Sequence, residues 1–132
     1  IALADARKGA GMFQMDAIKI PVLGIIENMS YFTPEDLPEN KYYLFGKQGA
    51  KDLANEIKVP FLGELPIIQT IREAGDVGRP AALQSEGPVP LAFENIIQNT
   101  MLSLSKRVED LPPSEAVRIT TMAGCNARKR EI

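Results

Sequence analysis

Asn28 closes the apolar run that starts at Pro21, and its carboxamide carries a hydrogen-bond acceptor beside two donors. That pairing suits the hydrogen-bonding edge of a purine. Asparagine also stops strands and starts turns, and by residue type alone the turn is the first reading of Asn28. A second stretch with chemical content is "GKQGAK", Gly46 to Lys51, where backbone N–H groups at the start of a helix can hold an anion. Its spacing matches neither G-x-x-x-x-G-K-[ST] nor G-x-G-x-x-G, so it reads as a Gly-rich approach to a helix. One cysteine, Cys125, and no histidine exclude a Ser-His-Asp triad, a Cys-His dyad and a Cys/His zinc site built from this chain. A disulfide within the chain is excluded too.

The 132 residues are 45% hydrophobic and 24% charged, the composition of one globular domain. A formal charge of -2 gives no basic footprint for nucleic acid, and the one basic cluster, Arg128 to Arg130, reads as a solvated tail. No apolar run reaches the roughly 20 residues that span a bilayer, and no signal peptide is visible. These features predict a cytoplasmic protein with no membrane partner. The chain starts at Ile1 inside a helical pattern, which reads as a piece of a longer protein.

The elements that must position these residues follow from periodicity. Leu3, Ala6, Ala10, Phe13 and Ala17 predict an amphipathic helix over 2–16, weakened by Gly9 and Gly11. Residues 21–26 form a continuous apolar run, the pattern of a strand covered on both faces. Residues 28–45, with Pro34, Pro38 and Asn40, read as an irregular excursion longer than most connections, which points to a functional or interface loop. A helix over 47–57 is predicted from Ala50, Leu53, Ala54 and Ile57, then a strand at 59–63 whose Pro60 suits only its start or edge. A short helix over 67–74 and a long one over 90–108 follow, the latter with an apolar face of Phe93, Ile97, Met101, Leu104 and Val108. Residues 116–121 are β-prone, and 123–132 read as a tail. The order is that of an α/β fold with a parallel sheet.

In this order and spacing, "ALADARK", "PVLGIIENMSYF", "YYLFGKQGAKDLA" and "VPFLGELPIIQTIREAGDVGRP" closely resemble the Mrp/ApbC family of deviant-Walker P-loop ATPases, which carry iron-sulfur clusters. The resemblance covers about residues 1–108. It implies a partial three-layer parallel sheet of the P-loop NTPase type, lacking the N-terminal P-loop half, with residues 1–110 as the nucleotide-binding part and 111–132 as an extension. It implies an ATPase acting as an iron-sulfur cluster carrier, a homodimer with ATP and magnesium, and iron-sulfur apoproteins as partners. Asn28 matches the asparagine that bonds adenine in this group. Leu65, Pro66 and Ile67 match the segment bordering the base, while Arg72 and Asp76 of the same motif read as helix-surface charge. The phosphate loop, the magnesium contacts and the Walker B aspartate lie in the part of such proteins that precedes residue 1, so this segment by itself is expected to be inactive.

One departure from the family pattern bears on cargo. Many members hold a C-x-x-C pair after "ENMS", through which two subunits bridge a [4Fe-4S] cluster. The segment "YFTPEDLPENKYYLFG" has no cysteine, and Glu35, Asp36 and Glu39 are hard oxygen donors, poor substitutes for thiolate at iron. Two other readings stay open: a noncatalytic interaction module using the aromatics Tyr31, Phe32 and Tyr42 to Phe45, and a partitioning ATPase of the MinD/ParA sort. Against the latter, the basic C-terminal end has no apolar stripe for a membrane surface.

Overall fold

The structure, a computed structural model, describes residues 2–34, 36–37, 39–83 and 87–113. The predicted strand at 116–121, the tail, Cys125, Glu35 and the cluster Arg128 to Arg130 lie outside the described residues. Helix α1 (Ala2–Gln14) is followed by β1 (Ile25–Glu27), α2 (Gly49–Glu56), β2 (Phe61–Glu64), α3 (Gln69–Asp76), a 3-10 turn (Ala81–Leu83) and α4 (Pro88–Asp110). Strands β1 and β2 pair in parallel, with Ile25 opposite Phe61, Ile26 opposite Gly63 and Glu27 opposite Glu64. The architecture is α/β around a small two-stranded parallel sheet.

The first strand is shorter and later than the apolar run that predicts it. Ile25 N–H donates to the Pro60 carbonyl at 2.9 Å, but Pro60 has no N–H to return to the neighbouring chain, so the ladder cannot extend back through 21–24. Gly24 passes close to β2 at this point. A Cβ there would lie 2.5 Å from Leu62 Cγ and 2.7 Å from the Pro60 carbonyl oxygen. The expectation of a strand covered on both faces is also corrected, because Ile26 keeps 43% of its surface open.

Helix α2 joins the two strands and seals them with the stripe the sequence predicts: Ala50, Leu53 and Ala54 are buried, Leu53 to 1% exposure. Helix α1 lies against α2 through Leu3, which reaches Gly49, and through Arg7, whose Nη2 stands 2.8 Å from Glu56 Oε2. It ends two residues earlier than the sequence predicts, in a turn where Lys19 is left-handed and Ile20 N–H donates to the Phe13 carbonyl.

Helix α4 lies along β2, but not on the face its apolar periodicity predicts. Ile97, Met101 and Val108 are more than half exposed, whereas Val89 and Ile96 are buried and Thr100 and Ser103 face inward. The reason is polar. Asn99 Nδ2 donates to the Leu62 carbonyl at 2.9 Å and Ser103 Oγ donates to the Leu23 carbonyl at 2.5 Å, so the helix supplies donors to one carbonyl of β2 and one of the segment leading into β1, which would otherwise lose water without gaining a partner. Ile96 then falls over Gly63, where a Cβ would meet its Cγ1 at 2.6 Å.

Two outcomes follow for stability. Gly24→Ala forces a methyl against a backbone oxygen and should destabilise the fold by about 1–3 kcal/mol in urea unfolding. The Glu56 carboxyl is held below its usual value by the Arg7 hydrogen bond, with desolvation opposing and the Arg7 charge assisting. A lowered folded pKa means that the pair's contribution is present above pH 4.5 and is lost as pH falls through the folded value. Both side chains are about half exposed, so added salt should weaken that pH dependence, and Glu56→Gln should abolish it in acid unfolding monitored by circular dichroism.

Candidate functional site

At the carboxyl end of β1 the ladder with β2 is interrupted and then resumes. Leu65 N–H donates to the Glu27 carbonyl at 2.8 Å, and the Leu65 carbonyl accepts from Ser30 N–H at 2.9 Å. In a regular parallel ladder that carbonyl would serve Met29, two residues beyond Glu27, so one residue is looped out. The extra residue is accommodated by Met29, which is left-handed at φ 55, while Asn28 Oδ1 accepts from Met29 N–H at 3.0 Å. A bulge of this kind re-aims a side chain, and here it leaves Asn28 exposed at the strand end.

Asn28 lines a cavity of about 340 Å³, mostly apolar, together with Leu3 and Ala6 of α1, Ile26, Lys47 and Leu53. The structure places the other three predicted site residues beside Asn28 but not around that cavity. Leu65 is tied to the bulge by its backbone, Pro66 is fully buried, and Ile67 N–H donates to the Tyr31 carbonyl at 2.7 Å. Arg72 pairs with Asp76 at 2.8 Å one helical turn away on α3, which accounts for both as surface charge.

The long excursion is a closed arm. Phe32 and Tyr42 exchange both backbone hydrogen bonds at 2.8 Å, and Phe32 also bridges in parallel to Ile67. Tyr31 and Tyr43 stand with ring centroids 6.2 Å apart, Lys41 Nζ lies 3.9 Å over the Tyr31 ring, and Lys47 Nζ lies 5.0 Å from the Tyr43 ring. Lys41 also donates to Glu64 Oε1 at 3.3 Å. Burial opposes its charge, but Tyr31 and Glu64 outweigh that and raise the Lys41 pKa above its usual value.

Glu27, Ser30, Glu64 and Lys41 are contributors that sequence reasoning did not single out. The Glu27 carboxylate faces the first turn of α2, with Oε1 3.5 Å from Ala50 N, where Gln48 provides no side-chain cap. The amide pole of "GKQGAK" therefore already faces a negative charge, which disfavours a second anion. No periodicity marks these residues, because their partners lie far along the chain. Among the described residues no group of three or more His, Cys, Asp or Glu side chains is arranged to hold a metal ion, and Asp36 and Glu39 are exposed.

The left-handed Met29 is itself testable. Being half exposed, it loses little burial on truncation, so Met29→Gly should range from neutral to about 1 kcal/mol stabilising in urea unfolding. Met29→Val, which resists that backbone conformation, should destabilise by about 1 kcal/mol or more.

The family model described as ParA, NUBPL iron-transfer P-loop NTPase, matches residues 1–101. The iron-sulfur cluster carrier protein of Synechocystis is 49% identical over 61% of this chain and 22% of its own length. The Arabidopsis iron-sulfur protein required for mitochondrial NADH dehydrogenase is 37% identical over 87% of this chain and 36% of its own length. A solved nucleotide-binding protein from Archaeoglobus fulgidus, in complex with ADP, superposes with TM-score 0.50 at 37% identity over 58% of this chain and 30% of that one. The chain thus spans between about a fifth and about a third of the length of these curated relatives. With the family matched over most of its described length, the chain belongs to the NUBPL iron-transfer P-loop NTPases.

Proposed function

We propose that this chain forms the base-binding side of an ATP site in an iron-sulfur cluster carrier, with residues 1–110 as part of the nucleotide-binding domain. The observation that carries the reading is the bulge at Asn28 and Met29, which turns a carboxamide out at the carboxyl end of a parallel strand, where open α/β sheets bind their ligands. An asparagine amide can donate to one and accept from another of two neighbouring groups, the pattern that adenine offers through its amino group and ring nitrogens. Leu65 holds the bulge from behind, and Pro66 and Ile67 fix the run of chain that supports it. In this reading the two strands are part of a larger three-layer sheet, and the remainder of a full-length protein supplies the lysine loop and magnesium contacts that grip the phosphates. ATP, once bound, supplies the phosphoryl bond whose hydrolysis switches the protein between states of different cargo affinity.

The cluster is cargo in this scheme. The excursion from Tyr31 to Phe45 contains no cysteine, so thiolate ligands for a [4Fe-4S] cluster would come from elsewhere in the dimer. Association as a homodimer is supported by the open Leu44 and Phe45, 61% and 76% exposed at the end of the arm. The same surface favours the simpler role of an interaction module as the second reading. Iron-sulfur apoproteins are the proposed recipients. No helix among the described residues is long and apolar enough to cross a membrane.

In a full-length protein bearing this chain, Asn28→Ala should reduce the preference for ATP over GTP roughly tenfold in equilibrium binding, the order expected for losing one bidentate base contact. An unchanged preference would remove Asn28 from the site. Anaerobic reconstitution with iron and sulfide, followed by absorbance spectroscopy, tests the cargo, and a protein that acquires no cluster band would overturn the carrier reading.

A further inference from the structure

Ser30, Glu64 and Lys41 come from three different stretches of the chain and meet at one point. Ser30 is the residue at which the bulge ends and the ladder resumes, and it is the one buried polar side chain among the described residues, 4% exposed. Its Oγ donates to Glu64 Oε2 at 3.1 Å, and Glu64 Oε1 accepts from Lys41 Nζ at 3.3 Å. The carboxylate therefore spans the two, one oxygen on the bulge and the other on the arm. Lys41 is further seated on the ring of Tyr31, the residue after Ser30, so its ammonium has one partner on β2 and one where the bulge passes into the arm.

We propose that Ser30, Glu64 and Lys41 act as one clasp that holds the bulge presenting Asn28 and the arm from Tyr31 to Tyr43 in a fixed relation. Lys41 is thereby a positioning residue for the base site, although it does not line the cavity. The physical chain is short. Backbone hydrogen bonds lead across the bulge from Glu27 through Leu65 to Ser30, then from Tyr31 to Ile67 and from Phe32 to Tyr42, one residue from Lys41. Losing the ammonium leaves the Glu64 carboxylate without its counter-charge beside a buried hydroxyl, and the cheapest relief is for Glu64 to turn towards water. Ser30 then loses its acceptor, and the left-handed Met29 next to it loses the contact that keeps the loop-out in place. The arm loosens in the same step, since Lys41 was its side-chain tie to β2.

The part of the inference that concerns nucleotide rests on the reading of Asn28 given above, and the experiment separates the two. In the full-length protein, amide hydrogen exchange is measured at Phe32 and Tyr42, and ATP and GTP affinities are measured by calorimetry, for Lys41→Met, Lys41→Arg, Glu64→Gln and Asn28→Ala. Lys41→Met should accelerate exchange at both amides and lower the ATP-to-GTP affinity ratio, each by about threefold to fivefold. Lys41→Arg, which keeps the charge, should restore both. The double variant Lys41→Met with Glu64→Gln should be no worse than the more severe single one, because both remove the same link.

Lys41 is an exposed side chain, so its substitution leaves the core intact, which far-ultraviolet circular dichroism checks. Unchanged exchange at Phe32 and Tyr42 in Lys41→Met overturns the clasp. An unchanged affinity ratio in Lys41→Met, when Asn28→Ala does alter it, overturns its positioning role. If Asn28→Ala also leaves the ratio unchanged, the base-site reading has failed separately, and the exchange rates alone then decide whether the clasp exists.

Discussion

The organisation of this chain depends on the backbone of Leu65. Its N–H and carbonyl grip Glu27 and Ser30 on either side of a looped-out residue, which joins the end of the parallel sheet to everything beyond it. Below this point β1 and β2 pair in parallel under α2, with a register shift between Ile25 and Ile26 that leaves Leu62 without a partner in β1. Above it the same two stretches guide Tyr31 and Phe32 into the arm. Were the ladder regular here, Asn28 would remain a ladder residue like its neighbours. The bulge instead leaves it exposed in the turn that follows β1.

The polar links are placed where the apolar ones cannot reach. The backbone carbonyls of Leu23, just before β1, and of Leu62 on β2 receive donors from Ser103 and Asn99, which sets the rotation of α4 about its own axis. The first turn of α2 faces the Glu27 carboxylate, which brings the far end of the excursion back to the strand where it began. Close approach matters as much as hydrogen bonding. Gly24 against Leu62 and Gly63 against Ile96 permit separations that any side chain would prevent, so these two glycines define how near the strands and α4 lie. In this respect the small core is dense even though much of its periphery is open.

That open periphery is apolar in several places. Ile26 on β1, the outer face of α4 and the Leu44-Phe45 pair all present large hydrophobic side chains to solvent. The matched stretches make up only 22% and 36% of two curated relatives, and exposed apolar patches of this kind mark contact surfaces. The family assignment and the exposed faces thus agree: one describes a carrier with a P-loop nucleotide site, the other a segment whose surfaces are suited to further packing.

Local pattern alone determined a good deal. The stripe of Ala50, Leu53 and Ala54 specified a buried helix face, the two short apolar runs specified parallel strands, and Pro60 marked the edge where pairing begins. The ordered motifs from "ENMSYF" to "GELP" carried the family. These are properties of spacing along the chain, and spacing is legible in a sequence. The structure decided what depends on partners distant in sequence: which face of α4 turns inward, that the excursion closes at Phe32 and Tyr42, and that Glu64 joins Ser30 to Lys41. It also decided that Asn28 stands out of the ladder, because the residue that displaces it, Leu65, belongs to the other strand. Apolar periodicity encodes which side chains avoid water, but a backbone carbonyl in need of a donor leaves no trace in composition or period. Only folding brings it to the donor that fixes the geometry.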